Sequence, residues 1–264
     1  MKKGLIISDT HFGSYYAPMP DKVEVEDRTG EVVRYLPSNT QKELNRAWKK
    51  MCANHYDFCL VNGDVCDGPQ KKSMGKGVIT SNLKAQADIA ANMLSQIDAD
   101  IFYFTMGSEY HCMDDRPLEQ HVAEKLGGVY SDDMILEVEN VRIHASHNVP
   151  VSSSSWQYRS TPLARDLLLL ELNNSTKRYG KIDLAIRSHA HYYVTVGFKR
   201  QTGIITPCWQ TRTPFAVKRD LISPPDIGYI ELFVDKYDSW HRGHFFDIGQ
   251  PSRSIRVEGV GYAS

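Results

Sequence analysis

"KGLIISDTH", residues 3–11, decides the architecture. Lys3 to Ser8 is a short, nearly continuous apolar run, as expected of a strand buried on both faces, and it stops at Asp9-Thr10-His11. "FCLVNGD", residues 58–64, repeats the plan and stops at Asp64, and "DIFYFTMG", residues 100–107, is a third such strand. The segments between them are helical. "SNTQKELNRAWKKMCANH", residues 38–55, opens with cap-like polar residues, and "TSNLKAQADIAANMLSQI", residues 80–97, spaces Leu83, Ala87, Ala90, Leu94 and Ile97 along one face. Strand, helix, strand, helix predicts an α/β domain.

Downstream, "LEVENVRIHASH", residues 136–147, supplies two strands about a turn at Glu139-Asn140. The serine-rich "PVSSSSWQYRS", residues 150–160, reads as a loop. "TPLARDLLLLELNNSTKRYG", residues 161–180, has Pro162 near its first turn and Gly180 at its close, both helix-end signals. "DLAIRSHAH", "YVTVGFK", "GIITPCWQ" and "IGYIELFVD" read as mostly β structure. "KVEVEDRTGEVVRYLP", residues 22–37, alternates about Asp27-Arg28-Thr29-Gly30 and predicts a hairpin, an insertion at about 13–38 over the end of the first strand. The economical reading is one domain over residues 1–264, with mixed sheets covered by helices.

The 264 residues carry 41% hydrophobic side chains, enough for a sizeable core. Thirty-one basic against 32 acidic residues leave a net charge of -1, so global electrostatics recruit neither nucleic acid nor an anionic membrane. No apolar run approaches the roughly 20 residues that span a bilayer. "MKKGLIISDTH" reaches charge too soon for a signal peptide, so the expectation is a cytoplasmic protein without a membrane partner. Five cysteines without a CxxC pair argue against a disulfide framework and a thiolate zinc site. No feature addresses the oligomeric state.

Four predicted strand ends carry one class of residue: Asp9 with His11, Asp64, His147, and His189 with His191. Open α/β sheets place their sites at such ends. Residues two apart in an extended segment share a face, so each pair is expected to grip one metal centre. Carboxylates and imidazoles without thiolates suit manganese, iron, zinc or nickel, and fit poorly a calcium cage made of oxygens alone.

"DTH", "NGDVCDG", a histidine closing a later strand and "SHAH" together resemble the calcineurin-like metallophosphoesterase family, whose motifs are DxH, GDxxD, GNH(D/E), a lone histidine and GHxH. The resemblance runs in family order over residues 9–191. It implies a β-sandwich flanked by helices. It also implies that Asp9, His11 and His191 hold one metal, that Asp64 bridges, and that His147 and His189 hold the second. Asp67 would organise its loop. His144, three positions before His147, is the rival for its role and is expected to be packed or hydrogen-bonded instead. Two motifs depart from the pattern. Ser188 replaces glycine in "SHAH", and "GSEYH", residues 107–111, stands where GNH would. Either Glu109 supplies the missing oxygen ligand, or Ser108 ligates weakly or through water while Glu109 orients a histidine. In both registers His111 protonates the leaving group.

The chemistry implied is hydrolysis of a phosphate ester. Two divalent ions about 3.5 to 4 Å apart lower the pKa of a shared water, and the resulting hydroxide attacks phosphorus in line. Manganese is the first choice, with iron, zinc, nickel or magnesium as alternatives. Arg159 and Arg212, with Trp209, Phe215 and Lys218 nearby in sequence, could stack a base and pair a phosphate. That combination favours a phosphodiester of a nucleotide or nucleic acid. A phosphomonoesterase or protein phosphatase is the alternative. The missing asparagine at 108 motivates a reading of another class, an inactive scaffold of the same type that binds a partner.

Overall fold

Period-two alternation along the first strand sorts its side chains onto two layers: Leu5 and Ile7 face one core and Ile6 the other, all fully buried. The computed structural model describes residues 1–26, 31–70, 75–109, 112–113, 116–149, 156–175, 180–199, 201–218 and 224–249. Along the chain run β1 (Lys2–Ile7), β2 (Val23–Glu26), β3 (Val32–Tyr35), α1 (Asn39–Cys52), β4 (Phe58–Asn62), α2 (Leu83–Leu94) and β5 (Phe102–Thr105). There follow α3 (Leu118–Leu126), β6 (Val129–Ser131), β7 (Met134–Val138), β8 (Val141–Ala145), α4 (Thr161–Ser175) and β9 (Leu184–Arg187). The chain continues through β10 (Val194–Phe198), β11 (Gln201–Ile205), α5 (Pro214–Lys218), β12 (Gly228–Val234) and β13 (Ser239–Phe245).

Two mixed sheets result. The first has the order β6-β5-β4-β1-β12-β13, parallel from β6 to β1 and antiparallel beyond. The second has the order β7-β8-β9-β11-β10, with β8, β9 and β11 parallel. Ile6, Phe58, Leu60, Ile143, Ile186, Ile204, Ile230 and Leu232 fill the space between them. The opposite face of the first sheet packs on α1, α2 and α3 through Leu44, Trp48, Ala87, Leu94 and Val122. Leu163, Leu167 and Leu170 of α4 cover the second sheet. The fold is thus a mixed α/β domain of two facing sheets flanked by helices. No described helix is long and apolar enough to cross a membrane.

Each helix on the first sheet begins with a polar residue that reaches back to a loop leaving a strand. In α1, Ser38 and Gln41 form a reciprocal capping box, and the Gln41 amide also donates to the carbonyls of Ser14 and Ala17 beyond β1. In α2, Asn82 caps the backbone, and the buried Gln86 amide both accepts from Gly68 N and donates to Gly68 O. In α3, buried Glu119 accepts from Val65 N at 3.1 Å. The segment expected as a hairpin pairs β2 antiparallel to β3, with Val23 and Val25 packed into the core. Its turn, residues 27–30, lies outside the described residues.

Candidate metal centre

The geometry of the strand ends is regular. Asp9, Asp64, His147 and His189 are each the second residue past a strand, after β1, β4, β8 and β9. These are the C-terminal ends of parallel strands in the two sheets, so four loops meet at one edge of the sandwich. The loops hydrogen-bond to one another: Asp9 N donates to Gly63 O, His11 N to Asp64 O, Ser188 N to His147 O and Trp209 N to Asp9 O.

The reason the paired residues converge differs from the sequence expectation. Asp9, His11, His189 and His191 do not lie in extended segments. Their φ angles are 47°, 44°, 70° and 55°, and Asp64 is at 49°, all in the left-handed region. For side chains other than glycine this backbone is strained, and such strain gathers at functional sites. Apart from these five, only Gln70 and Glu139 share the conformation among the described non-glycine residues.

Two groups form. Ligand atoms of Asp9, His11 and His191 lie within 4.8 Å of one another, and so do those of Asp64, His147 and His189. His191 Nε2 is 3.2 Å from Asp9 Oδ1, and His147 Nε2 is 3.1 Å from Asp64 Oδ2. The groups adjoin, since His147 Nε2 is also 3.9 Å from Asp9 Oδ1. The floor is dry: the Asp9, Asp64 and His147 side chains are 0%, 3% and 1% exposed, whereas His191 and His189 at 28% and 40% form the lip.

The hydrogen bonds around these side chains test whether cations fit. His147 Nδ1 lies 2.8 Å from the carbonyl of Asn62. A carbonyl only accepts, so Nδ1 carries a proton and Nε2 is the nitrogen turned to the carboxylates. His11 Nδ1 faces Asp67 Oδ1 at 3.2 Å, and Gln210 Nε2 donates to the same oxygen at 2.8 Å. That leaves His11 Nε2 3.2 Å from His191 Nε2, a contact that needs a proton or a cation between them. Asp9 Oδ1, His11 Nδ1 and His147 Nε2 are buried and make no hydrogen bond of good geometry. Buried ligand atoms converging with valences left unsatisfied suit bound cations, and the outer partners Asn62 and Asp67 face the imidazoles as metal ligands require. Charges respond accordingly. Burial disfavours the Asp9 carboxylate, but His191 and His147 outweigh it and hold its pKa well below the usual carboxylate range. Burial lowers His147, yet Asp64 and Asp9 raise it to about 9.

Two glycines shape the cradle. At Gly63, φ 79°, a Cβ would stand 2.4 Å from His147 Nδ1. At Gly107 it would stand 2.4 Å from both the backbone N and Oδ1 of Asp64.

The remaining sequence candidates fall differently. Ser108 turns onto Asp64, its backbone N at 2.6 Å and its hydroxyl at 2.9 Å from Oδ1 and 3.0 Å from Oδ2. Glu109 has an exposed side chain and joins neither group. His111 lies outside the described residues. His144 is occupied elsewhere: its Nε2 meets Asp133 at 2.7 Å and its Nδ1 meets Arg187 at 2.9 Å. Cys66 is buried in the core, which pushes its thiol well above the usual range. The Arg159 guanidinium lies 4.3 Å from the ring centroid of Tyr192, the residue after His191. Arg212 is half-buried two residues beyond Gln210. Trp209 is corrected from stacking candidate to core residue: it is fully buried, edge-on to Trp48 at 4.9 Å. Gln210, Asn62, Gln41, Gln86 and Glu119 escaped the sequence reading. Only glutamine or glutamate near a helix start, as a capping signal, points to any of them.

No family model matches the sequence, and no curated protein matches it significantly. Solved structures do align along most of the chain. A novel archaeal phosphodiesterase is 11% identical over 92% of this chain and 99% of its own, with a TM-score of 0.47. Vps29 from Chaetomium thermophilum is 10% identical over 93% and 98%, with a TM-score of 0.46. Zinc-complexed Vps29 from Entamoeba histolytica is 12% identical over 94% and 99%, with a TM-score of 0.44. Likenesses this loose assign nothing to the chain.

Proposed function

We propose that this chain is a dinuclear metal-dependent phosphoesterase. The observation that carries the reading is the pair of adjoining groups, each one carboxylate and two imidazoles, on a buried floor with an exposed histidine lip. Asp9, His11 and His191 would hold one divalent ion and Asp64, His147 and His189 the second, with Asp64 shared between them. Manganese is the first choice for such donors, with iron, zinc, nickel or magnesium as alternatives. When bound, such a pair supplies charge to phosphoryl oxygens and acidifies water beside the phosphate. The chain's own residues do the rest. The Asn62 carbonyl would hold a proton on the outer nitrogen of His147 and Asp67 would face that of His11, so that in the metal-bound protein the inner nitrogens are the ligands. Ser108 fixes the rotation of the Asp64 carboxylate. His111 donates the proton to the leaving oxygen.

The substrate class is a phosphate ester, with a nucleotide or nucleic-acid phosphodiester favoured. Arg159, backed by Tyr192 beside His191, offers a fixed cation for a second phosphate substituent, and Arg212 offers another. The test is hydrolysis of bis(p-nitrophenyl) phosphate and p-nitrophenyl phosphate with added manganese, by the wild type and by His191→Ala. The expected result is diester turnover exceeding monoester turnover, and a loss of at least about a hundredfold in the variant. Equal inertness of both proteins, with no metal uptake by the wild type, would sink the enzyme reading in favour of a binding scaffold.

A further inference from the structure

Beneath the centre a file of fully buried polar side chains crosses from one sheet to the other: Thr105, Asn62, Ser188, Thr206, Ser8 and Asp9. Its contacts are short. Thr105 Oγ1 donates to Asn62 Oδ1 at 2.8 Å, and Asn62 Nδ2 donates to Ser188 Oγ at 2.6 Å. Ser188 Oγ and Thr206 Oγ1 are 2.7 Å apart, Thr206 Oγ1 and Ser8 Oγ 2.6 Å, and Ser8 Oγ lies 2.7 Å from Asp9 Oδ2.

A hydroxyl has one proton to give, and an ionised carboxylate only accepts. Ser8 therefore spends its proton on Asp9 Oδ2, in preference to the more distant carbonyl of Pro207 at 3.2 Å. The Thr206–Ser8 contact at 2.6 Å must then use the Thr206 proton, in preference to the Arg187 carbonyl at 3.2 Å, and the Ser188–Thr206 contact the Ser188 proton. Ser188 in turn accepts from the Asn62 amide. The donor direction of every link is thereby determined, and each donor points toward Asp9. The chain saturates Oδ2 together with His189 N, which donates to it at 3.2 Å. Asp9 Oδ1 is left as the oxygen turned to the histidines. Asn62 passes the chain on with its side chain and holds His147 with its carbonyl, so one residue is linked to both halves of the centre, to His147 directly and to Asp9 through three hydroxyls.

We propose that Ser188 and Thr206 are positioning residues, links of a one-way hydrogen-bond chain that holds Asp9 with one oxygen saturated and the other presented to a cation. This rests on the metal-centre reading above, and it gives Ser188 a task where the related motif carries glycine. Fully connected buried networks of this kind rigidify what they hold, and outer partners of metal ligands typically contribute tenfold to a hundredfold in affinity.

The experiment is manganese(II) binding to the full-length protein, followed by the electron paramagnetic resonance of free Mn²⁺, for the wild type, Thr206→Val, Thr206→Ser and Ser188→Ala. Valine keeps the shape of threonine without the hydroxyl, and serine keeps the hydroxyl. The expected result is a loss of about tenfold to a hundredfold in one of two binding constants for Thr206→Val and Ser188→Ala, with Thr206→Ser close to the wild type. In a His191→Ala background, where the Asp9 half is already disabled, Thr206→Val should change the residual binding little. Equal affinities for Thr206→Val and Thr206→Ser would overturn the proposal. Should Thr206→Val show no cooperative melt, wild-type affinity in Ser188→Ala overturns it in the same way. A wild type that takes up no manganese sinks the metal-centre reading itself, whereas metal uptake indifferent to all three variants sinks this chain alone.

Discussion

Gly63→Ala separates the cost of a strained backbone from the cost of a displaced ligand. At φ 79° an alanine meets the left-handed penalty of about 1–2 kcal/mol. Its Cβ would also stand 2.4, 2.6 and 2.8 Å from Nδ1, Cγ and Cβ of His147, so the ring must move. Movement breaks the 2.8 Å bond from Nδ1 to the Asn62 carbonyl, about 0.5–1.5 kcal/mol, and repacks a 1%-exposed side chain, about 1 kcal/mol or more. The expected loss of stability is about 3 kcal/mol. Gly127→Ala is the control: its φ is 65°, nothing lies within 4 Å of the added Cβ, and only the backbone penalty of about 1–2 kcal/mol applies. Denaturant melts of the metal-free proteins should separate the two variants by about 2 kcal/mol, or a few degrees in Tm. Manganese titration should show one ion weakened about tenfold to a hundredfold in Gly63→Ala and neither in Gly127→Ala. If the two variants melt together and bind manganese alike, His147 is not held as a ligand and the centre has been misread.

Other consequences follow from the same contacts. Metal uptake at pH 7 should release about two protons, because His147, raised to about 9, and His191, which burial lowers but Cys208 and Asp9 raise well above the ordinary imidazole value, are both protonated in the metal-free protein and must each lose a proton to ligate. Calorimetry in two buffers of different ionisation enthalpy measures the release, which should shrink as pH rises past these values; a buffer-independent heat would contradict it. Glu231 lies 2.7 Å from Lys3 and 2.8 Å from His244, and although burial raises its pKa, these two partners hold it below the ordinary carboxylate value. Its stabilisation is therefore present above the unfolded carboxylate pKa and lost as pH falls through the depressed one, so Glu231→Gln should lower stability at pH 7 and flatten the acid limb of a pH–stability curve. An acid limb of unchanged slope would remove Glu231 from that account. Glu119→Ala leaves the buried Val65 N–H without its acceptor and should cost about 1–3 kcal/mol, with Glu119→Gln restoring most of it in a denaturant melt.

The strands that are buried on both faces were legible from continuous apolar runs within them, as in Phe58 to Val61. The helix starts were legible where capping residues stood in register, as at Ser38 and Asn82. Four of these elements were not assigned: α3, β6, α5 and β13. Helix α3 has Pro117 at its N-cap with no side-chain cap, and β13 is an edge strand whose exposed Trp240, Arg242 and Phe245 blur the alternation. The residue types of the centre were legible from strand-end aspartates and histidines in order. Their backbone was not, since a left-handed φ at aspartate or histidine leaves no mark in composition or periodicity. Trp209 was misjudged for a related reason: an aromatic beside arginine in sequence resembles a stacking platform until its partners, Trp48 and Phe246, are seen.

Five left-handed site residues at about 1–2 kcal/mol each would consume a share comparable to the whole stability of an ordinary domain. The loops offset that strain only jointly. Asp9 N bonds to Gly63 O, His11 N to Asp64 O, Trp209 N to Asp9 O and Asp226 N to His191 O, so each strained turn borrows its hydrogen-bond partner from another loop. Gln41, Gln86 and Glu119 then tie two of these loops, those after β1 and β4, to the first turns of three separate helices. No single loop could keep its conformation with the others removed. The centre is therefore a property of the closed sandwich, assembled when both sheets dock, and this is why short motifs scattered from residue 9 to residue 191 can specify one compact arrangement of side chains.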